Sequence, residues 1–269
     1  MQTYTIDGIK LLFFENLSSH NSLFHAVSTR IGGVSREPFE SFNLGLNTED
    51  TYENILSNHM ALSKALRFDL QTLTSSHQVH GNNIISVEKK PDKRTPFTLE
   101  HTFSGFDALV TDQPGITLMV RVADCIPIIF FDTVKKVLAV VHAGWKGTLG
   151  EIAAKTVKEM VNRYSSRACD IKAGIGPSIG PCCYYVQKYV ADLYYNKFSD
   201  AEIFIKKEKN GFFIDLWEAN RLQLIGQECR EENIEISALC TSCNSHLFFS
   251  NRREQGKTGR FGLLAGLRA

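Results

Sequence analysis

Two apolar runs, Ile126 to Phe131 and Val137 to Val141, flank the polar segment Asp132-Thr-Val-Lys-Lys136, and this pattern constrains the fold more than any other in the chain. It predicts a β-hairpin closed by a polar loop. Cys125 stands just before the first run and His142 just after the second. Pairing Phe131 with Val137 puts Cys125 opposite Ala143 and His142 opposite Ile126, so the thiol and the imidazole arrive at the same open end. A reduced thiol beside an imidazole either binds a metal or acts as a nucleophile and base. His80, in Ser76-His-Gln-Val-His-Gly-Asn82, is a third candidate ligand. One Cys and two His with a position left for water is the pattern of a catalytic zinc site, since structural sites are closed by a fourth protein donor.

Taken singly, each residue has a plainer reading. His80 fits a satisfied histidine at a turn, and His77 nearby is left unassigned. Cys125 fits a small buried apolar residue. The hairpin raises Cys125 and His142 above those readings because it brings them together. A second grouping, Cys240-Thr-Ser-Cys243-Asn-Ser-His246, has spacing compatible with zinc but no fourth ligand nearby in sequence. It reads as incidental, with a reversible thiol pair as the lesser alternative.

The 30 Lys and Arg nearly cancel the 29 Asp and Glu, leaving a formal charge of +1 and no bulk pull toward nucleic acid or an anionic membrane. Small substrates are the better expectation. With 43% hydrophobic content, no repeat and no linker, residues 1–269 read as one domain with a substantial core. No stretch suits a bilayer span, because Arg121 and Asp124 break Ile116 to Phe131. The N-terminus lacks a secretory pattern, so a cytoplasmic location is expected and the seven cysteines read as thiols or ligands.

Strands are expected over Leu11–Phe14, Ala26–Thr29, Ile84–Val87, Ala108–Thr111, Ile116–Val122, Lys172–Ile175 and Phe212–Leu216. A helix is expected over Tyr52–Leu66, with Ile55, Met60, Leu62 and Leu66 inward. Thr148-Leu-Gly-Glu151 reads as a capping box opening a helix whose stripe is Ala153, Val157, Met160, Val161 and Tyr164. The turn Gly144-Trp-Lys-Gly147 ahead of that helix offers backbone N–H groups to an anion. A last helix, Leu216–Glu228, should turn Trp217, Leu224 and Ile225 inward. The most loop-like stretches are Arg30–Asn47 and Lys89–Pro96. Arg30, Arg252, Arg253 and Arg260 lie in turn-like surroundings where an arginine can meet phosphate or carboxylate, although a surface ion pair explains any one of them.

The ordered set of motifs resembles the YfiH/YlmD proteins, once called laccase-domain or multicopper polyphenol oxidases. It comprises Ser28-Thr-Arg-Ile-Gly-Gly-Val-Ser35, Phe42-Asn-Leu-Gly45, Gln78-Val-His-Gly81, Asp107-Ala-Leu-Val-Thr111, Ala123-Asp-Cys-Ile-Pro127, His142-Ala-Gly-Trp-Lys-Gly147, Gly176-Pro-Ser-Ile-Gly-Pro181, Asp215-Leu-Trp-Glu-Ala-Asn220 and Thr258-Gly-Arg260. The resemblance implies a mixed α/β fold, a layered sandwich of mixed sheets flanked by helices, related to the catalytic domain of cytotoxic necrotizing factors. It implies Zn²⁺, with copper as the older assignment, on His80, Cys125 and His142. It also implies purine nucleoside phosphorylase activity on adenosine, inosine and methylthioadenosine, together with adenosine deaminase activity. Some relatives are described as peptidoglycan-editing factors, which keeps open a cysteine hydrolase with Cys125 as nucleophile and His142 as base. A non-catalytic nucleotide-binding module is the third class. Arg30, Asn43 and Arg260 are the expected substrate-binding residues, and Asp124 or Asp107 the expected proton carrier, because His80 is not followed by the Glu that cytidine deaminases use. The family's Glu after Cys-Cys-Tyr is Tyr185 here, which removes any role that carboxylate plays.

Overall fold

The computed structural model describes residues 1–91, 99–209 and 211–268, so most of the Lys89–Pro96 loop lies outside the described residues. Seven strands form one sheet, in the spatial order Gln2–Ile6, Ile9–Phe13, Leu23–Ser28, Phe261–Leu267, Thr117–Val122, Leu73–His77 and Phe103–Ser104. Six form a second, ordered Ile234–Ile236, Ile171–Ile175, Ile126–Asp132, Leu138–Ala143, Ala108–Thr111 and Ile84–Ser86. Tyr185–Val186, Gly211–Ile214 and Ile205–Glu208 make a small third sheet.

The two large sheets share a core in which Leu12, Val27, Leu118, Val120 and Leu263 meet Leu109, Ile129, Phe131 and Val140. Outside the second sheet, Val110, Ile128, Phe130 and Val141 pack with Val157 and Met160 of the helix Ile152–Tyr164 and Leu224 of the helix Leu216–Ile225. Outside the first sheet, Leu11, Ala26, Met119 and Leu264 pack with Ile55 and Leu62 of the helix Tyr52–Leu66. The layers therefore run helix, sheet, sheet, helix, the mixed α/β sandwich expected. Both hairpin strands are buried at every position, which explains why they read as continuous apolar runs. Burial of a side chain such as Phe130 or Phe131 contributes about 2–3 kcal/mol.

The hairpin forms with a register one residue away from the expected one. Phe131 pairs with Leu138, His142 with Pro127 and Ala143 with Ile126. The shift arises at the loop. Asp132 ends its strand, its carboxylate accepts the N–H groups of Val134 and Lys135, and Lys136 takes a left-handed φ of 58°. The loop thus holds one residue fewer than the polar segment.

Helices show a similar mix. Tyr52–Leu66 has the expected bounds, with Thr51 accepting from Asn54 N–H as its cap. Its buried stripe is Ile55, Asn58, His59, Leu62 and Ala65, which leaves Met60 outside. The expected capping box does not form. Trp145–Leu149 is itself a helical turn, Glu151 caps Ile152–Tyr164 in a left-handed conformation without a side-chain bond, and Thr148 Oγ1 instead accepts from Asn220 Nδ2. Val161 and Ile225 face solvent.

Two buried histidines tie stability to pH. His25 Nε2 accepts the Phe14 N–H at 2.9 Å, and burial pushes its pKa down from 6.5 to about 4. His59 is pushed down to about 3 by burial and by neighbouring Arg121. Both rings stay neutral when folded but protonate near pH 6.5 when unfolded, so stability is intact above 6.5 and is lost as pH falls toward 4 and 3. His25 alone accounts for roughly 3 kcal/mol by pH 4. Melting curves from pH 7.5 to 4 are expected to show a Tm that falls less steeply in His25→Gln; parallel slopes would refute the assignment.

Candidate active site and metal centre

At the open end of the hairpin, Cys125 lies one residue before its strand, after a turn in which Asp124 has a left-handed φ of 88°. Asp124 is locked there. Its carboxylate accepts from the Thr241 hydroxyl and from the Arg252 N–H, each at 2.6 Å, and its carbonyl accepts the Ile179 N–H at 2.9 Å. Both carboxylate oxygens of this expected proton carrier are thus occupied, and the residue joins three chain segments. Across the opening, a Cβ on Gly144 would lie 3.1 Å from Cys125 Sγ and 3.3 Å from His80 Cδ2, so glycine permits the close approach.

His142, next to last in the partner strand, shares the face of Leu138 and Val140, toward the first sheet. His80 comes from a loop where it takes a φ of 60°. Asp107, fully buried, positions both rings. Its carboxylate accepts the N–H groups of Val79 at 3.3 Å, His80 at 3.0 Å and Gly81 at 2.7 Å, and pairs with His142 Nδ1 at 2.8 Å. Burial would raise the Asp107 pKa, but the His142 bond and charge and the loop N–H groups hold it below the usual carboxylate range. With Nδ1 paired to Asp107, Nε2 is the His142 nitrogen left to face the Cys125 thiol.

The imidazoles of His80 and His142 meet edge to face, centroids 4.7 Å apart, and one donor atom from each of His80, Cys125 and His142 lies within 4.8 Å of the others. The three expected ligands converge. Burial would raise the Cys125 thiol, but His142 and then His80 draw it down toward thiolate; burial would lower His142, but that thiolate and Asp107 hold it up. The donor set fits zinc, a borderline-soft ion taken by thiolate and imidazole with one position left over, and Asp107 is the carboxylate partner a ligating histidine requires.

These donors border a cavity of about 610 Å³, a size suited to a small molecule. Arg121, Arg252 and Arg260 line it, as do Trp145, Tyr184, His77 and His101. Arg121 was not anticipated, since it sits inside an apolar strand. It is buried, with Nε bonded to the Leu44 carbonyl and Nη2 beside His59 Nε2, while Nη1 has no partner among the described residues. Burial pulls its pKa down to about 9. Arg260 Nη1 donates to the Thr258 and Gly259 carbonyls; burial lowers its pKa while Cys125 and Asp124 oppose that.

Two expected binding residues lie elsewhere. Arg30 is absent from the lining, its guanidinium taken by the Glu40 and Ser245 carbonyls and Glu254. Asn43 is buried behind the wall, where its Oδ1 accepts the N–H groups of Gly45 and Arg260 and its Nδ2 donates to Thr48 and Asp50. It supports Arg260 from behind. Its short polar side chain, accepting the N–H of Gly45 two residues on, is a turn signal rather than a site signal. The described residues include no helix long and apolar enough to cross a membrane.

Comparison with known proteins identifies the family. A family model described as multi-copper polyphenol oxidoreductase laccase matches residues 24–268. Purine nucleoside phosphorylase YlmD of Bacillus subtilis (strain 168) is 35% identical over 242 residues, covering 90% of this chain and 87% of that protein. A purine nucleoside phosphorylase of Bacteroides thetaiotaomicron is 32% identical over 260 residues, covering 96% of each. Among solved structures, YlmD from Geobacillus stearothermophilus superposes with a TM-score of 0.90 at 34% identity over 97% of both chains. YfiH of Bacillus licheniformis gives 0.89 at 34% identity and the same coverage. With its three donors brought together and this likeness spanning nearly its whole length, the chain belongs to the YfiH/YlmD family of laccase-like proteins.

Proposed function

We propose that this chain is a zinc-dependent purine nucleoside phosphorylase acting on adenosine, inosine and methylthioadenosine, with adenosine deaminase activity in the same cavity. The convergence of His80, Cys125 and His142 at an arginine-bordered cavity carries this reading, and the names its relatives bear support it. Its partners are a purine nucleoside and inorganic phosphate in the cytoplasm, with no nucleic acid or membrane. His80, Cys125 and His142 would hold the zinc ion, which would supply Lewis acidity when bound.

The chain's own groups do the rest. In phosphorolysis a phosphate oxygen bonds to C1′ of the ribose as the C1′–N9 bond breaks; its electron pair passes to the purine, which takes a proton. Arg252 and Arg260, with Arg121 behind, offset the phosphate charge in a partly enclosed space where such contacts are strengthened. Trp145 offers a ring to the purine. Asp107 keeps the His142 proton on Nδ1 and so keeps Nε2 aimed at the donor cluster. In deamination, water adds at C6 and ammonia leaves.

One observation favours a second reading. Cys125, His142 and Asp107 stand in line as nucleophile, base and orienting carboxylate, the arrangement of a metal-free cysteine hydrolase acting on a peptidoglycan precursor. A copper-dependent polyphenol oxidase is poorer chemistry, because the other ligand cluster among the described residues is all thiol and a multicopper set needs more histidines.

Metal-quantified protein incubated with adenosine is expected to yield adenine and ribose 1-phosphate only when phosphate is present, and inosine without it. Chelation should abolish both and zinc restore them. Full adenosine turnover after complete chelation would remove the metal from the reaction. Chelation-resistant hydrolysis of a peptidoglycan precursor without adenosine turnover would transfer the site to the cysteine hydrolase, and an unchanged product profile in His80→Ala would sink the reading.

A further inference from the structure

The thiols of the Cys240-Thr-Ser-Cys243 segment, read from sequence as lacking further ligands, meet two more in the folded chain. Cys182 and Cys183 follow the Gly176–Pro181 turn and reach them from 57 or more residues away in sequence. All four Sγ atoms lie within 4.8 Å of one another, with Cys243 Sγ 3.6 Å from Cys182 Sγ and 3.5 Å from Cys183 Sγ. His246 is not part of the cluster. Zn–S bonds of about 2.3 Å in a tetrahedron set S···S edges of about 3.8 Å, within a few tenths of these separations. A disulfide requires about 2.05 Å, and Cys243 stands nearly equidistant from two candidates.

We propose that Cys182, Cys183, Cys240 and Cys243 form a tetrahedral tetrathiolate site for a structural zinc ion, distinct from the His80, Cys125 and His142 centre. Four protein donors close the coordination shell, which makes the role structural. The local backbone is built for it. Gly180 brings the first segment against the second: a Cβ there would lie 3.1 Å from the Cys240 Cβ and 2.7 Å from the Trp217 ring. N–H groups of Gly180 and Cys243 are directed at the Cys240 sulfur. Four thiolates with Zn²⁺ carry a net charge of −2. Arg252 and Arg253, whose guanidinium groups donate to the carbonyls of Cys183 and Ser242, place cations beside the cluster.

The ion would join two segments already linked by the Ser178–Cys240 parallel bridge and by Arg252, whose guanidinium reaches the Cys183 and Tyr185 carbonyls. Both segments reach the cavity, the first with Ile179 and Tyr184 and the second with Asn251 and Arg252. The second site therefore braces the wall that faces the substrate.

The test counts metal on the full chain purified under reducing conditions. Wild type is expected to hold two zinc ions per chain by elemental analysis, and Cys125→Ala one. X-ray absorption at the zinc edge on Cys125→Ala, which keeps all four cluster thiols, should show four sulfur neighbours at one distance. Cobalt loaded into that variant should give intense thiolate charge-transfer bands, absent once Cys182→Ser and Cys243→Ser are added to Cys125→Ala. A single zinc in wild type that vanishes with Cys125→Ala would overturn the proposal. So would iron in place of zinc in the four-sulfur site, or a native mass two units low showing that Cys243 is oxidised to a neighbour.

Discussion

Cys125→Ala is expected to lower phosphorolysis by roughly three orders of magnitude while leaving the fold intact. A metal centre supplies several kcal/mol of charge stabilisation, and each 1.36 kcal/mol is a factor of ten in rate. Cys125 is the single anionic donor of its centre, and the two imidazoles that draw its thiol toward thiolate cannot retain a divalent ion equally well between themselves. The residue lies outside the strand ladder and is half-buried, so removing its sulfur leaves the sheet pairing untouched. Steady-state kcat/KM measured beside zinc content is the check. A variant that keeps activity within tenfold of wild type would show that the thiol neither binds the ion nor attacks. A nucleoside-binding module without turnover would show unchanged nucleoside affinity and no product from either protein.

Asp107→Ala should be the most damaging single change near the site, for stability as well as metal retention. The carboxylate accepts three loop N–H groups and faces the His142 ring, all in a fully buried position. Its removal orphans those donors and frees the His80 loop, a loss of about 3–5 kcal/mol on the scale of broken buried ionic pairs. Losing the partner of a ligating histidine weakens metal affinity by roughly 10–100-fold. Asp107→Asn keeps one acceptor oxygen but presents an NH₂ where Nδ1–H or a loop N–H needs an acceptor, so its melting temperature should fall between those of wild type and Asp107→Ala. Denaturant unfolding and zinc competition report the two effects separately. Wild-type values for both in Asp107→Ala would remove this residue from its role.

Local periodicity carried much of the fold into the sequence. The helix Tyr52–Leu66 and the strand Ala108–Thr111 have their expected bounds, and the hairpin with a thiol and an imidazole at its mouth was legible from two apolar runs. What failed depended on contacts distant in sequence. Thr148 and Glu151 have the spacing of a capping box, yet Asn220 from another helix claims Thr148. Met60, Val161 and Ile225 are apolar but sit on outer faces, because stripe membership depends on which side a neighbour covers. Arg30 resembled an anion-binding arginine until Glu254 met it, whereas Arg121 was hidden inside a strand that reads as core. The four-cysteine cluster was half visible: two pairs, each unremarkable alone, complete one another only after the chain has folded.

The hairpin's two ends obey different rules for change. Six ladder pairs separate the Thr133–Lys136 loop from the mouth, about 20 Å at the usual strand rise. At the far end an insertion adds only the slowly growing entropy of closing a longer loop. At the mouth, a shift of one residue would turn His142 to the opposite face of its sheet. Sequence drift in length is thus absorbed at one tip of a single motif, while the other tip is held to a fixed count of residues.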